Sequence, residues 1–181
     1  MIKIFNIMII LNLINQNTLK LRLANIEDID SVTEIYNEAI FKTNATFDTE
    51  PKKIDDQIKW FKDHGPNNPI IIAEYNNKIV GWASLSKWSD RCAYSDTAEI
   101  SLYVTEKYIG KGIGRRLIEG ILLEGQKTDI HTVLARITEG NDSSIHLHKS
   151  VGFEHIGIMK EVGWKFGKRL DVFLMQKIYQ R

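Results

Sequence analysis

Two spacings of apolar residues alternate along the chain. In segment 26–41, apolar side chains recur every three or four residues, which predicts an amphipathic helix that begins behind the N-cap residue Asn25. The same spacing predicts further helices over 54–63, from about 113 to 127, and over 142–150. Alternating or continuous apolar runs predict strands over 18–23, 69–75, 78–88, 97–104, 131–137, 153–162 and 170–178.

The order of these elements predicts an α/β chain of the α+β type, in which a mixed, mostly antiparallel sheet carries helices on both faces. No repeat or linker interrupts the pattern, so residues 18–181 are predicted to form one domain. Residues 1–17 stand apart as an N-terminal extension. Their apolar run, 4–14, is too short to span a bilayer and is followed by no cleavage site, which favours an added strand or packing arm.

Composition narrows the possible partners. The chain has 24 basic and 23 acidic residues, for a formal net charge of +1, which argues against bulk binding to nucleic acid or to an anionic membrane. The single cysteine, Cys92, excludes an internal disulfide and fits a reducing cytoplasm. His146 and His148 lie two residues apart on a predicted helix and therefore on different faces, so no metal site is predicted.

The strongest local signal is a glycine-rich turn between a strand and a helix, Gly110-Lys111-Gly112-Ile113-Gly114-Arg115. Glycines allow an anion to approach the backbone, and the helix start offers unpaired N–H groups with the positive end of the helix dipole. A pyrophosphate would fit there. A nucleotide P-loop is excluded because no Ser or Thr follows Gly110-Lys111, and a dinucleotide fold is disfavoured because strand 131–137 does not end in an acidic residue.

This segment resembles the Gcn5-related N-acetyltransferase (GNAT) superfamily. The superfamily's Arg/Gln-x-x-Gly-x-Gly/Ala motif matches Gly112 and Gly114 in spacing, although Ile109 replaces the usual Arg or Gln. Asn141, followed by Leu-His-Lys-Ser-Val-Gly-Phe at 147–153, resembles the second motif on the CoA side. The resemblance covers roughly residues 18–178 and implies the GNAT fold, with acetyl-CoA as co-substrate.

Several segments are similar to the phosphinothricin and methionine sulfoximine N-acetyltransferase branch. They are 35–37, 46–51, 91–94, 97–104, 144–148, 162–167 and 170–172. The resemblance implies a cytoplasmic, homodimeric enzyme that acetylates the amino group of a small amino-acid-like substrate by direct transfer. A polyamine or a protein N-terminus as acceptor, and a non-catalytic acyl-CoA-binding module, remain as alternatives.

Two residues are candidates for the chemistry. Glu99 lies on the strand before the glycine turn and matches the branch's acidic residue, so it is predicted to take the proton of the amine, unless it is a solvent-facing or salt-bridged glutamate. His148 stands where most superfamily members carry a tyrosine near the CoA sulfur. It could donate a proton to the thiolate or bridge to the amine through water, and a packing histidine is an equal alternative on the sequence alone.

The binding residues are predicted in two groups. For the acceptor, Arg91 offers a fork that matches a carboxylate or phosphinate, while further contacts are expected from Tyr94, Phe47 and Lys165. For acetyl-CoA, the resemblance implies that backbone groups of Leu102, Tyr103 and Val104 hold the pantetheine. It also implies that the turn from Gly110 to Arg115 holds the pyrophosphate, with further contacts from Asn141 and Ser150.

Overall fold

Residues 19–180 are described by a computed structural model, and the predicted extension 1–17, Thr18 and Arg181 lie outside the described residues. The four α-helices of the described part are α1 Ile29–Lys42, α2 Ile54–His64, α3 Ile113–Gln126 and α4 Asp142–Ser150. The strands are β1 Leu19–Leu23, β2 Ile70–Tyr75, β3 Lys78–Lys87, β4 Thr97–Val104, β5 Thr132–Thr138, β6 Glu154–Lys165 and β7 Lys168–Ile178. Short 3-10 turns cover Ile26–Asp28, Cys92–Tyr94 and Glu106–Tyr108.

The seven strands form one sheet in the order β1-β2-β3-β4-β5-β7-β6. All neighbouring pairs are antiparallel except β4 and β5, which run parallel. Parallel neighbours need a crossover connection, and α3 supplies it between β4 and β5. The mixed, mostly antiparallel sheet predicted from the sequence is therefore confirmed.

Alternating residues of the central strands supply two separate apolar clusters, one on each face of the sheet. The larger cluster joins Ile71, Ala83 and Ile100 to the buried stripe of α3, including Leu117 and Ile121. The smaller cluster, on the opposite face, joins Val32 and Ile35 of α1 to Ile72 and Trp82 of the sheet. Because side chains alternate across a strand, the same strands present both clusters, and helices cover both faces as predicted.

Local sequence signals explain most element ends. Asn25 and Asp28 form a reciprocal capping box that starts the first helical segment. Asn76 and Asn77 both adopt positive φ, which matches the twist of the β2–β3 hairpin. The predicted inner ends of the last two strands, 162 and 170, are wrong, because β6 and β7 continue to a two-residue turn at Phe166 and Gly167, where φ is +50° and +77°. A bulge between Met159 and Gly163 accommodates the extra residues of β6.

Within residues 19–180, no helix combines the length and apolar character needed to cross a membrane.

Candidate active site

The sheet opens between its two parallel strands. β4 and β5 pair only from Thr97 to Glu99, opposite Thr132 to Leu134. Beyond Glu99, β4 continues along β3 while β5 continues along β7, so the two strands border a cavity of about 440 Å³. The walls of this central cavity come from β4, β5, the loop after α1, α4, β6 and β7.

The open edge of β4 presents unpaired backbone groups to a ligand. Thr105 N donates to Val80 O at 3.0 Å and Trp88 N donates to Thr97 O at 3.2 Å, which fixes the odd-numbered residues of β4 as those that bond to β3. In an antiparallel ladder the intervening residues direct their N–H and C=O groups the other way. The backbone groups of Leu102 and Val104 therefore face the gap, beyond the last β4–β5 pair, where an extended ligand could bind as an added strand.

The glycine turn lies at the C-terminal end of this strand and begins α3. Gly110 and Gly112 both have φ of +78°, and a Cβ at either position would meet nothing within 4 Å. The first α3 amide that bonds to the backbone is that of Arg116, to Gly112 O at 3.2 Å. No acceptor within residues 19–180 takes the amides of 110–115. Six free donors at the positive end of a helix dipole can bind an anion.

The turn is held beside the cavity by apolar contacts. A Cβ at Gly114 would lie 3.5 Å from the side chain of Leu147 on α4 and 3.8 Å from that of Leu102 on β4. The small residue thus lets α3, α4 and β4 meet at the end of the gap. Lys111 lies over the ring of Tyr108, with Nζ 4.8 Å from its centroid, and adds positive charge next to the free amides.

Glu99 lines the cavity and is paired with an arginine from the neighbouring parallel strand. Arg136 Nε donates to one carboxylate oxygen at 2.5 Å, and its Nη2 donates to the other at 2.7 Å. The hydrogen bonds to Glu99 raise the pKa of Arg136. Arg136 also lies over the ring of Trp88, with its guanidinium carbon 5.6 Å from the centroid. Glu99 is therefore both salt-bridged, as the alternative interpretation of the sequence expected, and part of the cavity wall.

His148 lies in the cavity wall as a neutral ring. Its side chain is 5% exposed, and its Nδ1 is 2.8 Å from the carbonyl oxygen of Ser144, which can only accept a hydrogen bond. Nδ1 therefore carries the proton and Nε2 is left as an acceptor. Burial lowers the pKa of His148, and its ring packs edge-on against Phe153. This state favours an acceptor role toward water or the amine, because a proton donor would first have to be charged.

The loop after α1 closes one side of the cavity through a polar network. Tyr36 Oη contacts Thr46 Oγ1 at 2.9 Å and donates to Asp48 Oδ2 at 2.7 Å, while burial raises the pKa of Tyr36 to about 12. Lys165 is buried and donates from Nζ to the carbonyl oxygen of Thr46 at 2.7 Å. Phe47, between these residues, packs against Gly163, where a Cβ would collide with its ring.

Six of the predicted site residues come together in the cavity wall: Phe47, Glu99, Leu102, Tyr103, Asn141 and His148. Asn141 also caps α4 by accepting from the Ser144 amide at 3.3 Å. Of the other predicted residues, Val104 and the glycine turn lie at the end of β4, Lys165 lies behind the wall, and Arg91, Tyr94 and Ser150 lie outside the lining. Among the described residues, no group of three or more His, Cys, Asp or Glu is placed to hold a metal ion.

The cavity wall also contains four residues that were not predicted as site residues from the sequence: Tyr36, Asp48, Arg136 and Ser144. Arg136 carried a usable signal, because it interrupts a strand between the buried residues Ala135 and Ile137. A charged side chain at that place must face either solvent or a site. The other three gave no signal, since polar residues in a loop or on a helix are ordinary.

A sheet that opens between two parallel strands, with a free strand edge and an anion-binding turn at the end of the gap, is the architecture of acetyl-CoA-dependent N-acetyltransferases. The chain belongs to the acetyltransferase (GNAT) family, whose sequence profile matches residues 29–153.

Several known proteins similar to the chain are named as acyltransferases of amino acids or their analogues, and one solved structure at 34% identity and a TM-score of 0.85, covering 88% of this chain and 99% of that one, is named as a ribosomal-protein-alanine N-acetyltransferase from Brucella melitensis. The L-amino acid N-acyltransferase MnaT of Escherichia coli is 34% identical over 87% of this chain and 92% of its own length. The L-methionine sulfoximine/L-methionine sulfone acetyltransferase of Salmonella typhimurium is 34% identical over 86% and 92%. A phosphinothricin acetyltransferase from Sinorhizobium meliloti, solved in complex with acetyl-CoA, superimposes with a TM-score of 0.85 at 32% identity, covering 89% of this chain and 88% of that one.

Proposed function

We propose that this chain transfers the acetyl group of acetyl-CoA directly to the amine of a small, amino-acid-like substrate such as L-methionine sulfone, L-methionine sulfoximine or L-phosphinothricin. The observation that carries the proposal is the opening between β4 and β5, which has Glu99 in its wall and the free amides of 110–115 at its end. Two relatives, named as an L-amino acid N-acyltransferase and as an L-methionine sulfoximine/L-methionine sulfone acetyltransferase, support amino-acid-like acceptors as the substrate class.

The residues that would hold acetyl-CoA fit its shape and charge. The amides of 110–115 and the charge of Lys111 suit the diphosphate, and the open backbone of Leu102 and Val104 suits the amide-containing pantetheine arm. Asn141 is placed in the cavity wall for a further contact. Bound there, acetyl-CoA supplies an activated acetyl thioester.

The residues that would act on the acceptor amine are Glu99 and His148. An α-amine has a pKa of about 8, so most of it is protonated at neutral pH and must lose a proton before it can attack. Glu99 can take that proton directly or through water, while Nε2 of His148 can accept a hydrogen bond from the amine or from the water. The amine would attack the thioester carbon itself, forming the amide bond as the C–S bond breaks, and CoA would leave as a thiolate that takes up a proton, so no acyl-enzyme is required.

A thiol-release assay with acetyl-CoA, run over a panel of amino acids and simple amines, tests the proposal. We expect turnover with amino acids, and we expect Glu99→Gln to lower kcat by about 10²–10⁴-fold while the Kd for acetyl-CoA stays within about twofold, since general-base catalysis contributes about that much. Glu124→Gln, on α3 and outside the cavity lining, is the control, since Glu124 is likewise a partly exposed, ion-paired glutamate.

Each of the remaining outcomes has a different meaning. Turnover restricted to polyamines or peptide N-termini would assign a different acceptor to the same fold. Acetyl-CoA binding without turnover of any amine would identify a binding module and overturn the proposal. A Glu99→Gln protein with wild-type kcat at neutral pH would remove Glu99 from the mechanism.

We further propose that residues 18–181 act as one acetyltransferase domain that pairs into a homodimer in the cytoplasm. Apolar side chains are exposed along β6 and the turn that follows it, at Ile156, Ile158, Val162, Trp164 and Phe166. An exposed apolar strip of this kind is typical of a surface that another protein covers. The exposed, unpaired thiol of Cys92 is compatible with a reducing compartment.

A further inference from the structure

Arg136 is the one side chain with a permanent positive charge among the described residues that line the central cavity. The other ionisable groups in the wall are the carboxyl groups of Asp48 and Glu99, the phenols of Tyr36 and Tyr103, and the neutral His148. Without Arg136, the wall would carry two carboxyl groups and no cation, a lining that suits a polyamine better than an amino acid.

The guanidinium of Arg136 is only partly used by its partner. Nε and one hydrogen of Nη2 serve the two oxygens of Glu99, while Nη1 has no acceptor within residues 19–180. The Arg136 side chain is 50% exposed, and its contact with the Trp88 ring restricts the orientation of the guanidinium plane. The unused donors therefore remain available for a second anion beside Glu99.

We infer that Arg136 binds the acid group of the acceptor, and that Glu99 and Arg136 together recognise an α-amino acid as a zwitterion. In an α-amino acid a single carbon separates the amine from the carboxylate, so a carboxylate and a guanidinium in contact offer complementary charges to both groups at once. The amine lies at Glu99, where its proton is removed, while the acid group lies at Nη1 of Arg136.

The sequence predicted two positively charged residues as contacts for the acceptor, Arg91 and Lys165. Within residues 19–180, neither lies where it could bind the acid group beside Glu99. Arg91 precedes the exposed 3-10 turn Cys92–Tyr94 and does not line the cavity. Lys165 is buried behind the wall and donates to the carbonyl oxygen of Thr46. The assignment of the acid group to Arg136 rests on the proposed function and specifies its substrate class.

The test compares two acceptors that differ only in the acid group. The first is L-methionine sulfone, and the second is the amine that remains when its carboxylate is replaced by hydrogen. We expect Arg136→Gln to raise KM for L-methionine sulfone by about 10–100-fold, in line with the loss of a charged hydrogen bond, and to change KM for the plain amine less than about threefold. Arg136→Lys keeps the positive charge but loses the two-pronged geometry of the guanidinium. Its KM for L-methionine sulfone should therefore lie between those of the wild type and of Arg136→Gln.

Arg22→Gln is the matched control. Arg22 forms a two-oxygen pair with Asp28, at 2.7 and 2.8 Å, far from the cavity lining. Its substitution removes a carboxylate–guanidinium pair of the same kind and should lower thermal stability without changing the ratio of the two KM values. Acetyl-CoA binding should be unchanged in all these variants.

Equal effects of Arg136→Gln on both acceptors, or no effect on either, would overturn the inference, because Arg136 would then only position Glu99 or do nothing. If the wild type acetylates only amines without an acid group, the inference fails while acetyl transfer stands. If no amine is acetylated, the inference about Arg136 is tested independently of turnover, by measuring the binding of L-methionine sulfone to the wild type and to Arg136→Gln by calorimetry. Binding that Arg136→Gln abolishes supports the inference, and absent or unchanged binding overturns it.

Discussion

At the scale of single residues, the buried His148 and the partly buried His64 are both held neutral by their surroundings. His148 donates from Nδ1 to the carbonyl of Ser144, and His64 places Nδ1 2.8 Å from the carbonyl of Trp60 and Nε2 2.9 Å from Ser86 Oγ. In both, burial lowers the pKa of the imidazole. Each ring is thus a neutral donor on one side and an acceptor on the other, and His64 extends this arrangement to Ser86 in the cavity wall.

These histidines make stability depend on pH in a definite direction. Since the folded-state pKa lies below the unfolded value of about 6.5, protons bind preferentially to the unfolded chain as pH falls. Their contribution is present above pH 6.5 and is lost on acidification, by at most about 1.4 kcal/mol per pH unit for each ring. Urea unfolding at pH 7.5 and 5.5 should show this loss, which is reduced in His64→Gln and in His148→Gln.

His146→Gln, on the exposed side of the same helix as His148, is the control substitution and should leave the pH-dependent loss as it is in the wild type. If His64→Gln and His148→Gln lose as much stability as the wild type on acidification, neither ring is kept neutral by the fold.

At the scale of elements, the start of α3 depends on a backbone that only glycine adopts without strain. Gly112 is the residue before the first helical turn, and its φ of +78° turns the chain from β4 into α3. The amides that follow point away from the helix body and have no acceptor within the described residues. The same backbone geometry thus begins the helix and leaves its first amides free to bind an anion.

Gly112→Ala should therefore affect stability and ligand binding together. A left-handed alanine costs about 1–2 kcal/mol, and relief of that strain would turn the amides of 110–115 away from the diphosphate. We expect the Kd for acetyl-CoA to rise about tenfold or more, as for the loss of a hydrogen bond to a charged group. Calorimetry and urea unfolding measure the two effects.

Gly167→Ala provides the matched control, because Gly167 has φ of +77° and equally open space around it but lies in the β6–β7 turn. It should lose similar stability and keep the wild-type Kd. Equal Kd values for Gly112→Ala and the wild type would contradict an anion site at this turn.

At the scale of the whole molecule, the described residues leave the apolar strip on β6 uncovered. β6 is the edge strand, so one row of its backbone groups is also unpaired. A second copy of the chain could cover both at once. We expect light scattering to give twice the chain mass for the wild type.

Trp164→Asp should shift that mass to the monomer value. Trp164 is 62% exposed, so the substitution places a charge in the interface without disturbing the core. Leu123→Asp, on the exposed side of α3, tests whether any new surface charge has this effect. A wild-type protein that is monomeric at micromolar concentration, or a Trp164→Asp protein that remains dimeric, would refute this interface.

Much of the fold follows from short-range patterns. The spacing of apolar residues predicted the four helices and seven strands, and Asn25 with Asp28, Asn76-Asn77 and Gly112 marked element ends through local backbone chemistry. The last hairpin was mispredicted because the strand 153–162 was expected to end before Gly163, whereas Gly163 makes room for the Phe47 ring within β6. Phe47 lies more than one hundred residues away along the chain, and no local pattern shows such a contact.

By itself, the sequence determined the order of elements, the family and the glycine-rich turn, because each depends on neighbouring residues and their backbone preferences. The tertiary structure alone decided which charges meet. Glu99 and Arg136 lie 37 positions apart and come together only because β4 and β5 pair in parallel. Arg91, which is close to Glu99 in sequence, stays outside the cavity lining. Salt screens the attraction between exposed charges beyond about 8–10 Å, and the strand register that sets the distances between charges is a property of the assembled sheet.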